Sequence, residues 1–265
     1  MIAAQLAMAL AAALPRCTPV PGADALWRDG ARWIFVGEVH GTNETPDAFA
    51  NLVCLAPKTR PVIVALEYPE SAQAAIDAFI LSDGGATARA AFLAAPVWHG
   101  QFQDGRTSTA FLRLFERLRV MRREHRIMRV RGFDMPEDGS DHRDRNAAMA
   151  DRLTHIADES GALVMILVGN LHAVRIKVVR PQYTVTPAAA LLPADRVVSV
   201  NVIGSGGTAW NCQRECGEHP GWPEHPARMG ITWDTAPDRR WDATYELGVP
   251  TTAAAPAVPV APAKP

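Results

Sequence analysis

The sequence predicts an α/β fold: a mostly parallel sheet flanked by helices on both faces, with a site at the carboxyl ends of the strands. Three observations predict it. Short Val- and Ile-rich runs alternate with segments of helical period, as in repeated strand–helix units. Three of the runs end on carboxylates or imidazoles: Ile34–Val36 leads into Gly37-Glu38-Val39-His40, Val62–Leu66 stops on Glu67, and Met165–Val168 leads into Gly169-Asn170-Leu171-His172. Ligand sites in open α/β sheets lie outside the carboxyl ends of the strands, so these endings point to one shared polar site. Finally, 48% hydrophobic and 21% charged residues are enough apolar material for a packed core.

The elements follow in order. Met1 to about Leu14 is rich in Ala and Leu, too short to span a bilayer and of the length of a signal-peptide core, with small residues near Ala23-Asp24-Ala25 as a cleavage region. Residues 1–25 are therefore expected to be a signal peptide, giving a periplasmic or secreted protein. The alternative is an ordinary N-terminal helix on a cytoplasmic chain. Residues 26–249 are expected to form a single domain.

Strands are predicted at Trp33–Val36, Val62–Glu67, Ile127–Phe133, Leu163–Val168 and Val197–Ile203, where β-branched residues dominate short apolar runs. Thr45-Pro46-Asp47 reads as an N-cap, an N1 proline and an acidic first turn, opening a helix that buries Phe49, Leu52 and Val53. A second helix starts near Pro69-Glu70-Ser71 and buries Ile76, Phe79 and Ile80. A third, about Ser108 to His125, carries Phe111, Leu114, Phe115, Leu118 and Met121 on one stripe. A fourth runs from about Asp141 to Glu159. Beyond Val197 the pattern gives way to Gly, Trp and Pro, which predicts irregular structure with an edge strand or two. The Ala-, Pro- and Val-rich stretch 250–265 cannot build a core and is expected to be a disordered tail.

Cys212 and Cys216 lie in a polar loop, where a small disulfide ring is expected in an oxidising compartment. The alternative is a metal site shared with His219 and His225. Cys17 would leave with the signal segment, and Cys54 would then be a buried free thiol.

His40 and His172, with Glu38 and Glu67, form the candidate site. Two imidazoles and one or two carboxylates are a common ligand set for a divalent metal (Mn, Fe, Co or Zn), here His40, His172 and Glu67. They serve equally as a metal-free general base steadied by carboxylates. Glu67 ends a wholly apolar run and needs a cation or hydrogen-bond donors, and the same holds for Asp134 after Gly132-Phe133. Arg145 is the expected cation. It heads the helical stripe continued by Met149, Leu153 and Ile156, as a substrate anchor, an anion-stabilising group or a structural partner for Glu67. The loop 97–106, with Trp98, His99, Asp104 and Arg106, reads either as a lid or substrate wall or as a surface loop with Trp98 packed on the core.

The net charge of −1 gives no general attraction to nucleic acid or anionic lipid, and the arginines of 113–131 recur at the spacing of a solvated helix face. No Gly-rich phosphate loop, Gly-x-Ser-x-Gly elbow, transmembrane span or long repeat is present. The expected partner is a small molecule or a peptide substrate. The sequence leaves the oligomeric state open.

Gly37-Glu38-Val39-His40, Glu67, Arg145-Asn146-Ala147-Ala148-Met149-Ala150 and Gly169-Asn170-Leu171-His172 occur in the order found in ChaN-like haem-uptake proteins, which the chain resembles over about residues 30–205. Those proteins belong to a superfamily with the Tiki/TraB proteins and the erythromycin esterases. The resemblance implies an α/β fold with a strand-end site. By branch it implies a metal-dependent hydrolase, a His base supported by glutamates that opens a cyclic ester through water, or haem binding without turnover.

Overall fold

The structure, a computed structural model, describes residues 17–259 except 101–102, 137–140, 142–143 and 159–160. The predicted signal segment therefore lies mostly outside the described residues. The chain builds β1 (Trp33–Glu38), α1 (Glu44–Leu55), β2 (Val62–Pro69), α2 (Gln73–Ile80), α3 (Ala86–Leu93), α4 (Thr109–Arg123), β3 (Arg129–Asp134), α5 (Arg145–Asp158) and β4 (Leu163–Gly169). It continues through β5 (Val178–Arg180), β6 (Tyr183–Val185), α6 (Ala188–Leu191), β7 (Val197–Ile203), β8 (Thr208–Cys212), β9 (Cys216–Pro220), β10 (Met229–Trp233) and β11 (Ala243–Leu247).

Seven strands form one sheet in the order β10-β11-β7-β1-β4-β2-β3. All of its pairings are parallel except β10 with β11, so the expected α/β architecture is the one observed. Alternation along β1 sends Ile34 and Val36 into the layer under α1, α2 and α4, and Trp33 and Phe35 into the layer under α5 and α6. The second layer holds Met149, Leu153 and Ile156, the stripe that Arg145 heads. Among the described residues no helix is long and apolar enough to cross a membrane.

Helix boundaries moved where side-chain bonds compete. Helix α1 starts at Glu44, because the Thr45 hydroxyl pairs with Thr42 (2.8 Å) instead of capping the helix. Helix α4 is capped as expected by Ser108, whose Oγ accepts from Phe111 N. Helix α3 was not foreseen: it buries only Phe92 and so carries no stripe to read.

Two expectations are corrected. Cys54 is not a free thiol. It is disulfide-bonded to Cys17, and Ala23, in the expected cleavage region, is buried in a 3-10 turn. Cys212 is bonded to Cys216 across the β8–β9 hairpin, as the ring reading had it. The stretch from Pro250 is also not a free tail over its described part. Thr251, Thr252, Ala254, Ala255 and Ala257 exchange backbone bonds with three segments, 41–43, 107–109 and 206–208. Ala254 and Thr251 are buried. Composition suggested disorder because Ala and Pro supply no core, but this stretch is held by its peptide groups, which composition does not report.

Candidate active site

Parallel strands β1, β2, β3 and β4 end at the same edge, and each delivers one polar group there: Glu38 from β1, Glu67 from β2, Asp134 from β3 and, one turn past β4, His172. His40 follows β1 by two residues. Its Nδ1 lies 2.9 Å from Glu38 Oε1 and its Nε2 lies 3.4 Å from Glu67 Oε2. His172 approaches the other Glu67 oxygen, Nε2 to Oε1 3.9 Å. The buried Glu67 carboxylate is thus shared by both imidazoles.

Two guanidiniums complete the cluster. Arg145 is bidentate on Asp134 (2.9 and 2.5 Å), donates to Glu67 Oε1 (2.7 Å), and places Nη1 3.3 Å from His172 Nε2. Arg106 grips Asp104 through Nε (3.0 Å to each oxygen) and reaches Glu67 (3.4 Å) and Asp134 (3.2 Å) through Nη1. Glu67 also accepts from the Gly169 N–H at 2.6 Å. A Cβ on Gly169 would stand 3.1 Å from His40 Nε2 and 3.6 Å from His172 Cδ2, so a larger residue there would press on the His40 ring. Gly41, at φ 83°, turns the chain after His40, and its carbonyl accepts from both Trp210 N and Ala254 N (2.8 Å each).

The hydrogen bonds fix one tautomer. Asn146 Oδ1 accepts from the Ala188 N–H (3.0 Å), so the atom facing His172 Nδ1 at 2.7 Å is an oxygen that cannot donate. His172 therefore carries its proton on Nδ1 and leaves Nε2 as a lone pair turned toward Arg145. Burial pushes the His172 pKa down and the Arg145 charge adds to this, against the pull of Glu67. His172 is accordingly neutral at pH 7.

His40 goes the other way. Burial opposes its charge, but the Glu67 carboxylate and the Glu38 hydrogen bond outweigh that and raise its pKa to about 10. Burial likewise lifts Glu38, which His40 offsets only in part. Glu67, which burial alone would raise, is held well below the usual carboxylate range by His40, Arg106 and His172. Arg145 and Arg106 remain charged in spite of burial, through Asp134 and Glu67 for the first and Glu67 and Asp104 for the second. The site faces solvent: the Arg145 side chain is 41% exposed, His40 19% and His172 13%.

The strand-end and helix residues singled out from the sequence, Glu38, His40, Glu67, Asp134, Arg145 and His172, meet here. The loop 97–106 divides. Asp104 and Arg106 join the cluster, whereas Trp98 is fully buried against Phe92 and Phe115, and the exposed His99 bonds the Leu93 carbonyl. For Trp98, the core-packing alternative is the one observed. Asn146 was not singled out, since its role rests on the distant Ala188 N–H, which nothing local in the sequence announces. Among the described residues no group of three or more His, Cys, Asp or Glu side chains converges at metal-ligand spacing.

No protein-family model matches the chain, and no curated protein does. Solved structures do. An erythromycin esterase mutant in its open conformation aligns at TM-score 0.65 and 12% identity, over 85% of this chain and 92% of that one. A succinoglycan biosynthesis protein aligns at TM-score 0.63 and 10% identity, over 86% and 90%. A Bacillus cereus protein aligns at TM-score 0.58 and 10% identity, over 86% and 91%. At such identities the likeness is one of fold: this chain shares, over most of its length, the α/β architecture of an erythromycin esterase.

Proposed function

We propose that this protein is an exported hydrolase that cleaves an ester by general acid–base chemistry, with His172 as base and His40 as acid. One observation carries the reading: two imidazoles flank a single buried carboxylate, and their surroundings push their pKa values in opposite directions. A neutral imidazole with its Nδ1 proton anchored, and with only the 3.3 Å contact from Arg145 at Nε2, is prepared to take a proton from water. An imidazolium held by Glu38 and Glu67 is prepared to give one to a leaving oxygen. Arg145 Nη1, beside His172 Nε2, stands where negative charge develops when water attacks, and the pairing with Asp134 fixes its orientation. The erythromycin esterase fold match agrees with an ester as substrate. Two disulfides agree with an oxidising compartment.

The donor set does not fit a divalent metal. His172 Nε2 accepts from Arg145, Glu67 is occupied by two guanidiniums and a peptide N–H, and a dication would sit against both arginines. Haem fits no better, because both ring nitrogens of His40 face carboxylates and the surrounding side chains are charged.

The test is turnover of p-nitrophenyl acetate and of a macrolide lactone by EDTA-treated protein. We expect His172→Asn and His40→Gln each to lower kcat by about 10²–10⁴-fold with the fold intact by circular dichroism. Activity abolished by EDTA and restored by Mn or Zn would overturn the metal-free reading. Undiminished activity in both variants would overturn the site itself.

A further inference from the structure

At the other end of the sheet, where β2 and β3 begin, lies a cleft of ≈ 1190 Å³ that the strand-end chemistry does not use. Lys58, Arg60 and Arg126 line it against one carboxylate, Glu124. The Cys17–Cys54 disulfide forms part of its wall. Arg126 points Nη1 at both sulfurs, 2.9 Å from Cys17 Sγ and 2.8 Å from Cys54 Sγ. A disulfide that serves only as a staple needs neither a basic cleft nor a guanidinium on its sulfurs. We propose that Cys17–Cys54 is an exchangeable disulfide and that the cleft admits its reactant, a small thiol carrying acidic groups.

The two sulfurs are unequal. Cys54 is 8% exposed, in the last turn of α1, whereas Cys17 is half-buried at the start of the described chain. The incoming thiolate attacks Cys17 Sγ, the S–S bond breaks, and Cys54 leaves as a thiolate beside Arg126. A leaving thiolate departs faster when it is stabilised, and an adjacent cation supplies that. A second small thiolate then attacks the mixed disulfide at the small-molecule sulfur, releasing Cys17 as a thiolate and a small-molecule disulfide. The sum is two external thiols oxidised and one protein disulfide reduced to two cysteines. The exposed Lys58, together with Arg60, raises the local concentration of an acidic thiol, as clefts of one charge sign do for their ligands. After reduction Thr18 stays tied to Asn51 by bonds at 2.8 Å in both directions, so the segment remains near the helix and the bond can re-form.

The experiment treats the whole folded protein with mercaptoethanesulfonate or with cysteamine at matched thiolate concentrations. Alkylation and peptide mass spectrometry then follow both disulfides. Cys212–Cys216, which encloses Arg214 and Glu215 of opposite sign, is the internal reference. The sulfonate-to-amine rate ratio at Cys17–Cys54 should exceed that at the reference by about tenfold. Lys58→Gln should reduce the ratio by about twofold, and Arg126→Gln should slow exchange with both thiols. Equal ratios at the two bonds, or a Cys17–Cys54 bond that reacts only after denaturation, would overturn the proposal.

Discussion

Glu67→Gln is expected to lower turnover by about 10²–10⁴-fold, the range for losing acid–base function, because both imidazoles and both guanidiniums of the site lie against this carboxylate. One oxygen faces Arg145 and Arg106; the other takes the Gly169 N–H and faces His40. A glutamine keeps the shape but must turn its NH₂ either to the guanidiniums or to the peptide N–H, and in both poses donors meet donors. Breaking a buried pair costs several kcal/mol, but the Arg145 side chain is partly exposed and Asp134 still neutralises it, so about 2 kcal/mol of destabilisation is expected. The pH dependence gives the sharper readout. Glu67 is ionised far below its ordinary value of 4.5, so its contribution is present above about pH 4.5 and lost as pH falls below that. His40 is raised from 6.5 to about 10, so its contribution is complete below pH 6.5 and lost as pH climbs through about 10. Without the Glu67 charge the acid limb should flatten, and the alkaline limb should move to lower pH. Melting temperatures from pH 3 to 11 measure both limbs. Superimposable profiles for the two proteins would show that Glu67 does not hold the His40 proton.

Much of this site was legible because a parallel sheet makes simple sequence features converge. An apolar run that stops on Glu67 or Gly37-Glu38 marks both a strand and its carboxyl end, and the topology brings those ends to one edge. Arg145 was legible by contradiction, as a charge at the head of the buried stripe Met149–Leu153–Ile156. What stayed hidden depends on contacts distant in sequence. Cys17 and Cys54 lie 37 residues apart with nothing local to pair them. Trp98 could read as lid or core until Phe92, on an unforeseen helix, proved to be its neighbour. Asp104 and Arg106 were read as a possible substrate wall, and only the fold shows Arg106 reaching back to Glu67 and Asp134. The role of Asn146 rests on the Ala188 N–H, 42 residues away.

A chain ending at Val249 should lose most of its hydrolytic activity, more than about tenfold, for a smaller proportional loss of stability. Residues 251–257 thread between three segments. Ala254 N donates to the Gly41 carbonyl and Asn43 N to the Thr252 carbonyl. Thr109 N reaches Ala255, Ala257 N reaches Thr107, and Thr208 N reaches Thr251, all at 2.8–2.9 Å. Each such bond contributes about 1 kcal/mol net and ordering each residue costs about 1–2 kcal/mol, so the segment adds little to global stability. The local consequence does not cancel. Without residues 251–257, the carbonyl of Gly41 keeps only Trp210 as partner, and the N–H groups of Asn43 and Thr109 turn to water. Those groups flank the turn that aims His40 at Glu67 and the start of α4 behind the loop bearing Arg106, so the geometry of the acid and of one guanidinium loosens together. A misplacement of about 1 Å is enough to cost about 10²-fold in rate. Truncation after Val258, which keeps every one of these bonds, is the control and should match the full chain in kcat. Equal activity in both truncated forms would show that the His40 turn holds its shape unaided and that residues 251–257 are dispensable wrapping.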